Sequence, residues 1–315
     1  MQEISVGIDI GGTNTIIGLV DRKGEILAET QIGTGSYISP EEYVEAIAAS
    51  IKMLLGSVKV KNIIRGIGIG APMGNYYSGC IEQAANLRWK GIIPLVEMLR
   101  KKFDTRIVLT NDANAAAMGE MIFGAAKSMK NFIVVTLGTG LGSGFVVDGK
   151  LVYGHDGFAG ELGHTIYNPE GRLCGCGRKG CLETYASATG IKTTVLELLG
   201  KSGEESTLRS IPEGELNSKN IYEAALKGDK IATEAFDITA RILGLKLADS
   251  VVYTSPEAIF LFGGLALSGD VLLKPTKTYM EHYMLSIFKN KVKLELSGLM
   301  GKNAAVLGAA ALIWD

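Results

Sequence analysis

Twice along this chain an apolar strand-like run ends in a Gly/Thr turn, resumes as a glycine-containing strand and closes on an Asp turn. The first copy is I-D-I-G-G-T-N-T-I-I-G-L-V-D-R-K-G, starting at Ile8. The second is V-T-L-G-T-G-L-G-S-G-F-V-V-D-G, starting at Val135. A device used twice predicts two similar α/β halves facing each other across a cleft. The turn after Ile10 leads into a further strand, Thr15 to Val20, and no helix follows it. The dinucleotide and Walker signatures both need a helix there, so neither applies. A hairpin tip of Gly11-Gly12-Thr13 instead offers backbone N–H groups and a hydroxyl, a nest that takes phosphate oxygens without a cationic side chain. Gly138-Thr139-Gly140 repeats it. Two such turns on opposite walls would hold a triphosphate tail from both sides. Asp9 would then meet the accompanying metal, directly or through water. The simpler alternative is that these glycines only make tight hairpins and Asp9 caps one.

Between the two copies, Pro40 to Leu55 has the apolar period of a helix, Ile63 to Ile69 reads as a strand and Ile92 to Phe103 as a helix. Arg106 to Thr110 is a strand that delivers Asn111-Asp112 to its C-terminal end, ahead of an alanine-rich helix from Ala113 to Phe123. Asp112 at such a junction suits an N-cap. Strand C-termini of α/β domains are also where ligands sit, so Asp112 suits a general base as well, and Asn111 suits a hydroxyl-rich ligand. Beyond the second copy, Lys201 to Asn220 is a polar surface excursion. Helical patterns follow at Ile221 to Lys227 and Lys230 to Val252, and a strand at Ala258 to Phe262 ends in Gly263-Gly264. The final helix, Asn303 to Trp314, is apolar on nearly every face and must be buried, packing back on the N-terminal half.

Gly157 to Ser187 carries three of the four cysteines, Cys174, Cys176 and Cys181, with one of the three histidines, His164, ten residues ahead. Four such donors on a glycine-rich loop match a closed tetrahedral zinc site. A disulfide or buried free thiols are the alternatives. A Cys-Gly-Cys pair cannot easily bridge internally, and no secretory signal is evident. Glu161 and Glu183 are interleaved with these donors, and structural zinc needs neither. The metal therefore braces a loop that presents carboxylates to a ligand.

Composition narrows the partners. The 315 residues are 47 % hydrophobic and 21 % charged, an ordinary globular balance for two domains. A net charge of −1 with no basic run lacks the electrostatic footprint of a nucleic-acid-binding protein. No apolar run is long enough to span a bilayer, which predicts a soluble, cytoplasmic protein.

Together these segments resemble the ROK family of sugar kinases and sugar-responsive repressors, in the actin-like ATPase-domain superfamily. The resemblance runs through D-I-G-G-T-N-T, N-L-R-W at Asn86, N-D-A-N-A-A-A, L-G-T-G-L-G-S-G, A-G-E-L-G-H, C-G-C-G-R-K-G-C-L-E and F-G-G at Phe262. It covers nearly the whole chain. It implies an α/β fold of two actin-like (ribonuclease H-like) lobes with mixed sheets around a central cleft, plus a zinc-braced loop. The lobes would be residues 1–112, joined by the C-terminal helix 303–315, and residues 113–302, with the zinc loop at 164–181. It further implies an ATP- and magnesium-dependent kinase acting on the 6-hydroxyl of a hexose, glucose first. N-acetylmannosamine, N-acetylglucosamine, allose and fructose are the alternatives. Asp112 would be the base. Asp9, Gly11, Gly12, Thr13, Gly138, Thr139 and Gly140 would serve phosphates and magnesium, and Gly263 and Gly264 the nucleoside. Asn86, Asn111, Glu161, His164 and Glu183 would hold sugar hydroxyls, with His164 doubling as zinc ligand beside Cys174, Cys176 and Cys181.

Family members are usually dimers or tetramers. Repressor relatives add an N-terminal helix-turn-helix, and here the first strand begins at about Ile4, so a kinase is expected over a repressor or a non-catalytic sugar sensor. One departure is Ala71-Pro72-Met73-Gly74-Asn75-Tyr76-Tyr77, where many relatives have Pro-Gly-x-Val/Ile. That wall bears on which sugar fits.

Overall fold

The structure, a computed structural model, describes residues 2–58, 62–301 and 303–314. Its contacts divide the chain into two compact units. One is Met1–Met129 with Gly144–Gly160 and Gly298–Asp315, and the other is Lys130–Ser143 with Glu161–Ser297.

The first unit is built on β1 (Gln2–Ile10), β2 (Asn14–Asp21), β3 (Ile26–Gly33), α1 (Pro40–Ser57) and β4 (Asn62–Gly70). A small ladder of β5 (Ile81–Glu82) and β6 (Ile92–Ile93) follows, then α2 (Leu95–Arg100), β7 (Arg106–Thr110) and α3 (Asp112–Ile122). The sheet order is β3-β2-β1-β4-β7, with β1–β2 and β2–β3 antiparallel and β1–β4 and β4–β7 parallel. Ser39 caps α1 by accepting the Glu42 N–H at 3.2 Å, with Pro40 at the first helical position. Its buried face, Tyr43, Val44, Ile47, Ile51 and Leu54, has the expected helical spacing. The single helix expected from Ile92 to Phe103 is divided. Ile92–Ile93 pairs with β5, and α2 starts only after Pro94, which biases the residue before it toward extended backbone.

The remaining elements are β8 (Phe132–Leu137), β9 (Leu141–Val147), β10 (Lys150–Leu151), α4 (Ala188–Lys201), α5 (Ser218–Leu226), α6 (Lys230–Thr254), β11 (Ala258–Phe262), α7 (Asp270–Tyr283), β12 (Lys293–Leu296) and α8 (Ala304–Ala311). The second sheet runs β10-β9-β8-β11-β12, with β10–β9 antiparallel and β8–β11 and β11–β12 parallel. Read outward from its first hairpin, this is the strand order of the first sheet. The repeat visible in the sequence is thus a repeat of topology, and the α/β fold of mixed sheets is as expected. Among the described residues, no helix is long and apolar enough to cross a membrane.

The C-terminal helix explains its own composition. Register places Gly18, Gly7 and Gly68 side by side on β2, β1 and β4, so one sheet face carries a row without side chains. Helix α8 lies in that groove. A Cβ on Gly7 would come within 2.2 Å of the Val306 carbonyl oxygen, and one on Gly68 within 1.8 Å of the Ala309 carbonyl oxygen. On its other side α8 meets α3, where a Cβ on Gly308 would sit 2.6 Å from the Ala115 carbonyl oxygen. Enclosed by sheet and helix, Val306 to Ala311 is buried throughout. Because α3 packs on α8, it groups with the first unit, where the sequence-based boundary fell after Asp112. Asp315, the last residue of the expected C-terminal helix, lies outside the described residues.

A methyl group at Gly68 would have to displace helix backbone, not a pliable side chain. Gly68→Ala is therefore expected to cost about 3 kcal/mol or more, the upper range for overpacking. Gly35→Ala, where the added Cβ meets nothing within 4 Å, serves as control. Thermal melts of the two variants check this. Equal melting temperatures would contradict the groove packing.

Candidate active site

In the first unit the turn after β1 is closed by the Gly11 N–H donating to the Asn14 carbonyl at 2.9 Å. The Thr34 N–H, beyond the end of β3, donates to the Thr13 carbonyl at 2.9 Å. Beneath it, the Thr15 hydroxyl bonds the Thr34 hydroxyl at 2.8 Å and the Tyr43 hydroxyl. All three side chains are buried, so the turn rests on a fixed hydroxyl network. Nothing in the sequence marked that network, because Tyr43 falls on the apolar stripe of α1. Asn86 lies against the same turn, its carbonyl oxygen 3.0 Å from where a Gly12 Cβ would stand.

Asn111 and Asp112 divide the junction between β7 and α3. The cap is Asn111, whose side chain accepts the Asn114 N–H at 2.7 Å. Asp112 is the first helical residue, and its Oδ1 accepts the Ala113 N–H at 2.9 Å. The N-cap role that Asp112 could have filled belongs to Asn111, and the Asp112 carboxylate is released from it. Desolvation by the surrounding protein pushes the Asp112 pKa up, against the pull of backbone hydrogen bonds. Burial, and then the charge of Asp112, push Asp9 up to about 6. Two carboxylates thus face a common region beside the first glycine turn, a place that favours a cation or a proton.

The Met73–Tyr77 segment is tied down within the same unit. Buried Asn75 donates to the Asp156 carbonyl at 2.7 Å and accepts the Tyr77 N–H at 2.9 Å. Tyr76 stacks on Tyr153 at 4.1 Å and 11°, and the Tyr77 hydroxyl donates to the Gly154 carbonyl at 2.9 Å. Position 73 has positive φ (53°) in a methionine. The glycine displacement noted in the sequence therefore sits in a loop held by an aromatic stack.

In the second unit the turn between β8 and β9 closes through the Gly138 N–H and the Gly140 carbonyl at 3.0 Å. Gly263 lies beside it with φ of 100°, and a Cβ there would be 2.7 Å from the Leu137 carbonyl oxygen. The glycines expected to meet phosphate and nucleoside are thus neighbours. Glu161 is exposed just before a short 3₁₀ turn, Leu162–His164. Glu183 lies in the corresponding turn, Leu182–Thr184, with its Oε2 accepting the Leu141 N–H at 3.0 Å.

His164, Cys174, Cys176 and Cys181 converge. Their ligand atoms all lie within 4.8 Å of one another, with Cys174 Sγ 3.7 Å from His164 Nδ1 and Cys176 Sγ 3.6 Å from Cys181 Sγ. Tetrahedral coordination at zinc–sulfur lengths of about 2.3 Å separates two sulfurs by about 3.8 Å. The donor set and its spacing therefore fit a tetrahedral metal, and all four cysteines are free thiols. Burial pushes Cys174 up to about 12. Burial also opposes charge on Cys176, but the Arg178 hydrogen bonds outweigh it and hold that thiol down at about 6.

Arg172, which the sequence did not single out, anchors the loop. It pairs with Glu197 at 2.8 Å, donates to the Thr184 and Gly190 carbonyls at 2.6 and 3.1 Å, and lies 4.5 Å over the Tyr185 ring.

Two α/β sheets of one strand order, each with a glycine turn, and a histidine–cysteine cluster define the class. The sequence matches the ROK family over residues 5–315, and the chain belongs to that family. It is 36 % identical to the glucokinase of Halalkalibacterium halodurans over 98 % of this chain and 94 % of that one. It is also 31 % identical to the xylose repressor of Caldicellulosiruptor bescii, over 98 % of this chain and 77 % of that one. Among solved structures, the ROK glucokinase of Streptomyces griseus in complex with glucose and AMPPNP superposes with a TM-score of 0.81. It is 32 % identical and the match covers 98 % of each chain.

The Asp9 shift has a testable sign. A carboxyl raised in the folded state contributes full stability below its unfolded pKa of 3.8 and loses it as pH rises through about 6. Above pH 7 the loss is about 3 kcal/mol, at 1.36 kcal/mol per unit. Asp9→Asn removes the titration. In magnesium- and nucleotide-free buffer, its stability advantage over wild type is expected to grow between pH 4.5 and pH 8. An advantage independent of pH in thermal melts would contradict the burial of that charge.

Proposed function

We propose that this chain is an ATP- and magnesium-dependent glucokinase that phosphorylates the 6-hydroxyl of glucose. The observation that carries the reading is the pair Asp9 and Asp112 beside the first glycine turn, with the capping duty taken by Asn111. Full-length likeness to glucokinases supports the choice of sugar.

In this reading Asp112 accepts the proton of the 6-hydroxyl as its oxygen attacks the γ-phosphorus. The bond to the β–γ bridging oxygen breaks and ADP leaves with that electron pair. A raised pKa makes the carboxylate a better base. Asn86, Asn111, Glu161, His164 and Glu183 would hold the remaining hydroxyls, since carboxylates and amides give directional, paired hydrogen bonds. Gly11, Gly12 and Thr13, with Gly138, Thr139 and Gly140, would receive the phosphates through backbone N–H groups, and Gly263 and Gly264 the nucleoside. Magnesium near Asp9 would neutralise phosphate charge.

Zinc on His164, Cys174, Cys176 and Cys181 would do no chemistry. It would fix the His164 ring and the path from Cys174 to Glu183. The reading places the enzyme in the cytoplasm as a homodimer or homotetramer, with sugar and ATP as its partners and neither nucleic acid nor membrane.

Likeness to a xylose repressor favours one second reading, a sugar-responsive regulator without catalysis. ADP release over a panel of hexoses and N-acetylhexosamines separates the two. Turnover is expected on glucose, and silence on every sugar despite sugar-induced thermal shifts would favour the regulator. Asp112→Asn is expected to fold and to lose more than about 100-fold in kcat, the scale of a lost general base. Near-wild-type turnover would remove Asp112 from the mechanism. Elemental analysis should find one zinc per chain. Cys176→Ser should lose it and melt lower, since structural zinc carries folding energy on the order of 10 kcal/mol. Zinc-free protein with unchanged melting would refute the brace.

A further inference from the structure

Two side chains expected to meet sugar lie against the two turns expected to meet phosphate. In the second unit this contact is built from specific atoms. The peptide between Gly140 and Leu141 is held at both ends: its carbonyl accepts the Gly138 N–H at 3.0 Å, and its N–H donates to Glu183 Oε2 at 3.0 Å. A Cβ on Gly140 would fall 2.2 Å from that same Oε2 and 3.1 Å from the Glu183 carboxyl carbon, and, its chain neighbours aside, the three atoms nearest to it all belong to Glu183. Gly140 is thus a glycine because the Glu183 carboxylate occupies the space beside it. With that peptide fixed, the Thr139 and Gly140 N–H groups have no partner among the described residues and are left for an anion. Glu183 is in turn secured from behind, where Arg172 grips the Thr184 carbonyl at 2.6 Å and its N–H-to-carbonyl turn runs from Thr184 to Cys181 at 3.0 Å. The first unit has the same juxtaposition in looser form, with Asn86 Cβ 3.4 Å from where a Gly12 Cβ would stand.

We infer that Glu183 is a positioning residue for the second glycine turn, so that one carboxylate serves sugar recognition and sets the geometry of the phosphate-binding peptide. This rests on the kinase reading above. Coupling of this kind is reciprocal. Whatever the sugar does to the Glu183 rotamer changes nucleotide affinity, and nucleotide changes sugar affinity by the same factor.

The test is calorimetric titration of the full-length protein with magnesium-ADP in the absence of sugar, and with glucose in the absence of nucleotide. Glu183→Ala is expected to weaken ADP binding by about tenfold, within the usual range of coupling between sites. Glu183→Gln keeps an oxygen to accept the Leu141 N–H, so its ADP affinity should stay within about threefold of wild type. Its glucose affinity should fall. A merely structural role would move both variants together with their melting temperatures. Gly140→Ala displaces the carboxylate and should weaken glucose binding, although position 140 is assigned to phosphate.

Wild-type ADP affinity in Glu183→Ala overturns the inference and leaves the kinase reading intact, as does an equal loss in Ala and Gln variants. Wild-type protein that binds no ADP overturns both. Lost ADP affinity with glucose affinity unchanged upholds the turn role and removes Glu183 from the sugar site. If Glu183→Ala does not fold, Gly140→Ala decides, and unchanged glucose affinity there overturns the inference.

Discussion

A row of three glycines across a sheet sets the position of the catalytic candidate. Gly18, Gly7 and Gly68 open a groove that admits the backbone of α8 at a distance no side chain would allow. Packing at that distance makes α8 as much a part of the sheet's core as a neighbouring strand. Helix α3 then rests on α8 through Gly308 and Ala115, and Asp112 is the first residue of α3. Asp112 is therefore placed by a chain of backbone contacts from sheet to helix to helix. Glycine and alanine dominate it because each step depends on close approach.

Against that rigid frame the first unit carries an electrostatic cost. Burial raises both carboxyls, and the charge of Asp112 raises Asp9 further, so the site disfavours negative charge on this pair. A cation or a proton donor would relieve that cost, and in the proposed reaction magnesium and the sugar hydroxyl would supply them. The second unit solves a different problem, the order of a long loop with little regular structure between β10 and α4. Four metal-type donors and the half-buried Arg172 guanidinium hold it from two sides, and Glu161 and Glu183 ride on the result.

Much of this was legible in the residues because the strongest signals were local and repeated. Both glycine hairpins, the strands at Arg106 to Thr110, Phe132 to Leu137 and Ala258 to Phe262, and the convergence of His164 with three cysteines stand where spacing placed them. Helices α4 and α7 were not legible. Thr189, Thr193 and Thr194 weaken the helical propensity of α4, and Pro275 interrupts the pattern of α7, so packing and not local preference makes both helices. The capping of α3 was assigned to Asp112 or left open, because Asn and Asp compete for that role and only the side-chain bond to Asn114 decides it. Contacts between residues far apart in sequence, such as Glu183 with Leu141 and Asn75 with Asp156, leave no trace in a single chain.

The central claim is that the γ-phosphoryl of ATP passes to glucose and not to water, with Asp112 accepting the proton of the attacking hydroxyl. Phosphorus NMR of the zinc-replete protein with magnesium-ATP and glucose tests it most directly, with Asp112→Asn run alongside. A kinase of this description gives glucose 6-phosphate in step with ADP in the wild type, and neither in the variant. Inorganic phosphate in place of the sugar phosphate, or sugar phosphate formed equally fast by Asp112→Asn, would contradict it.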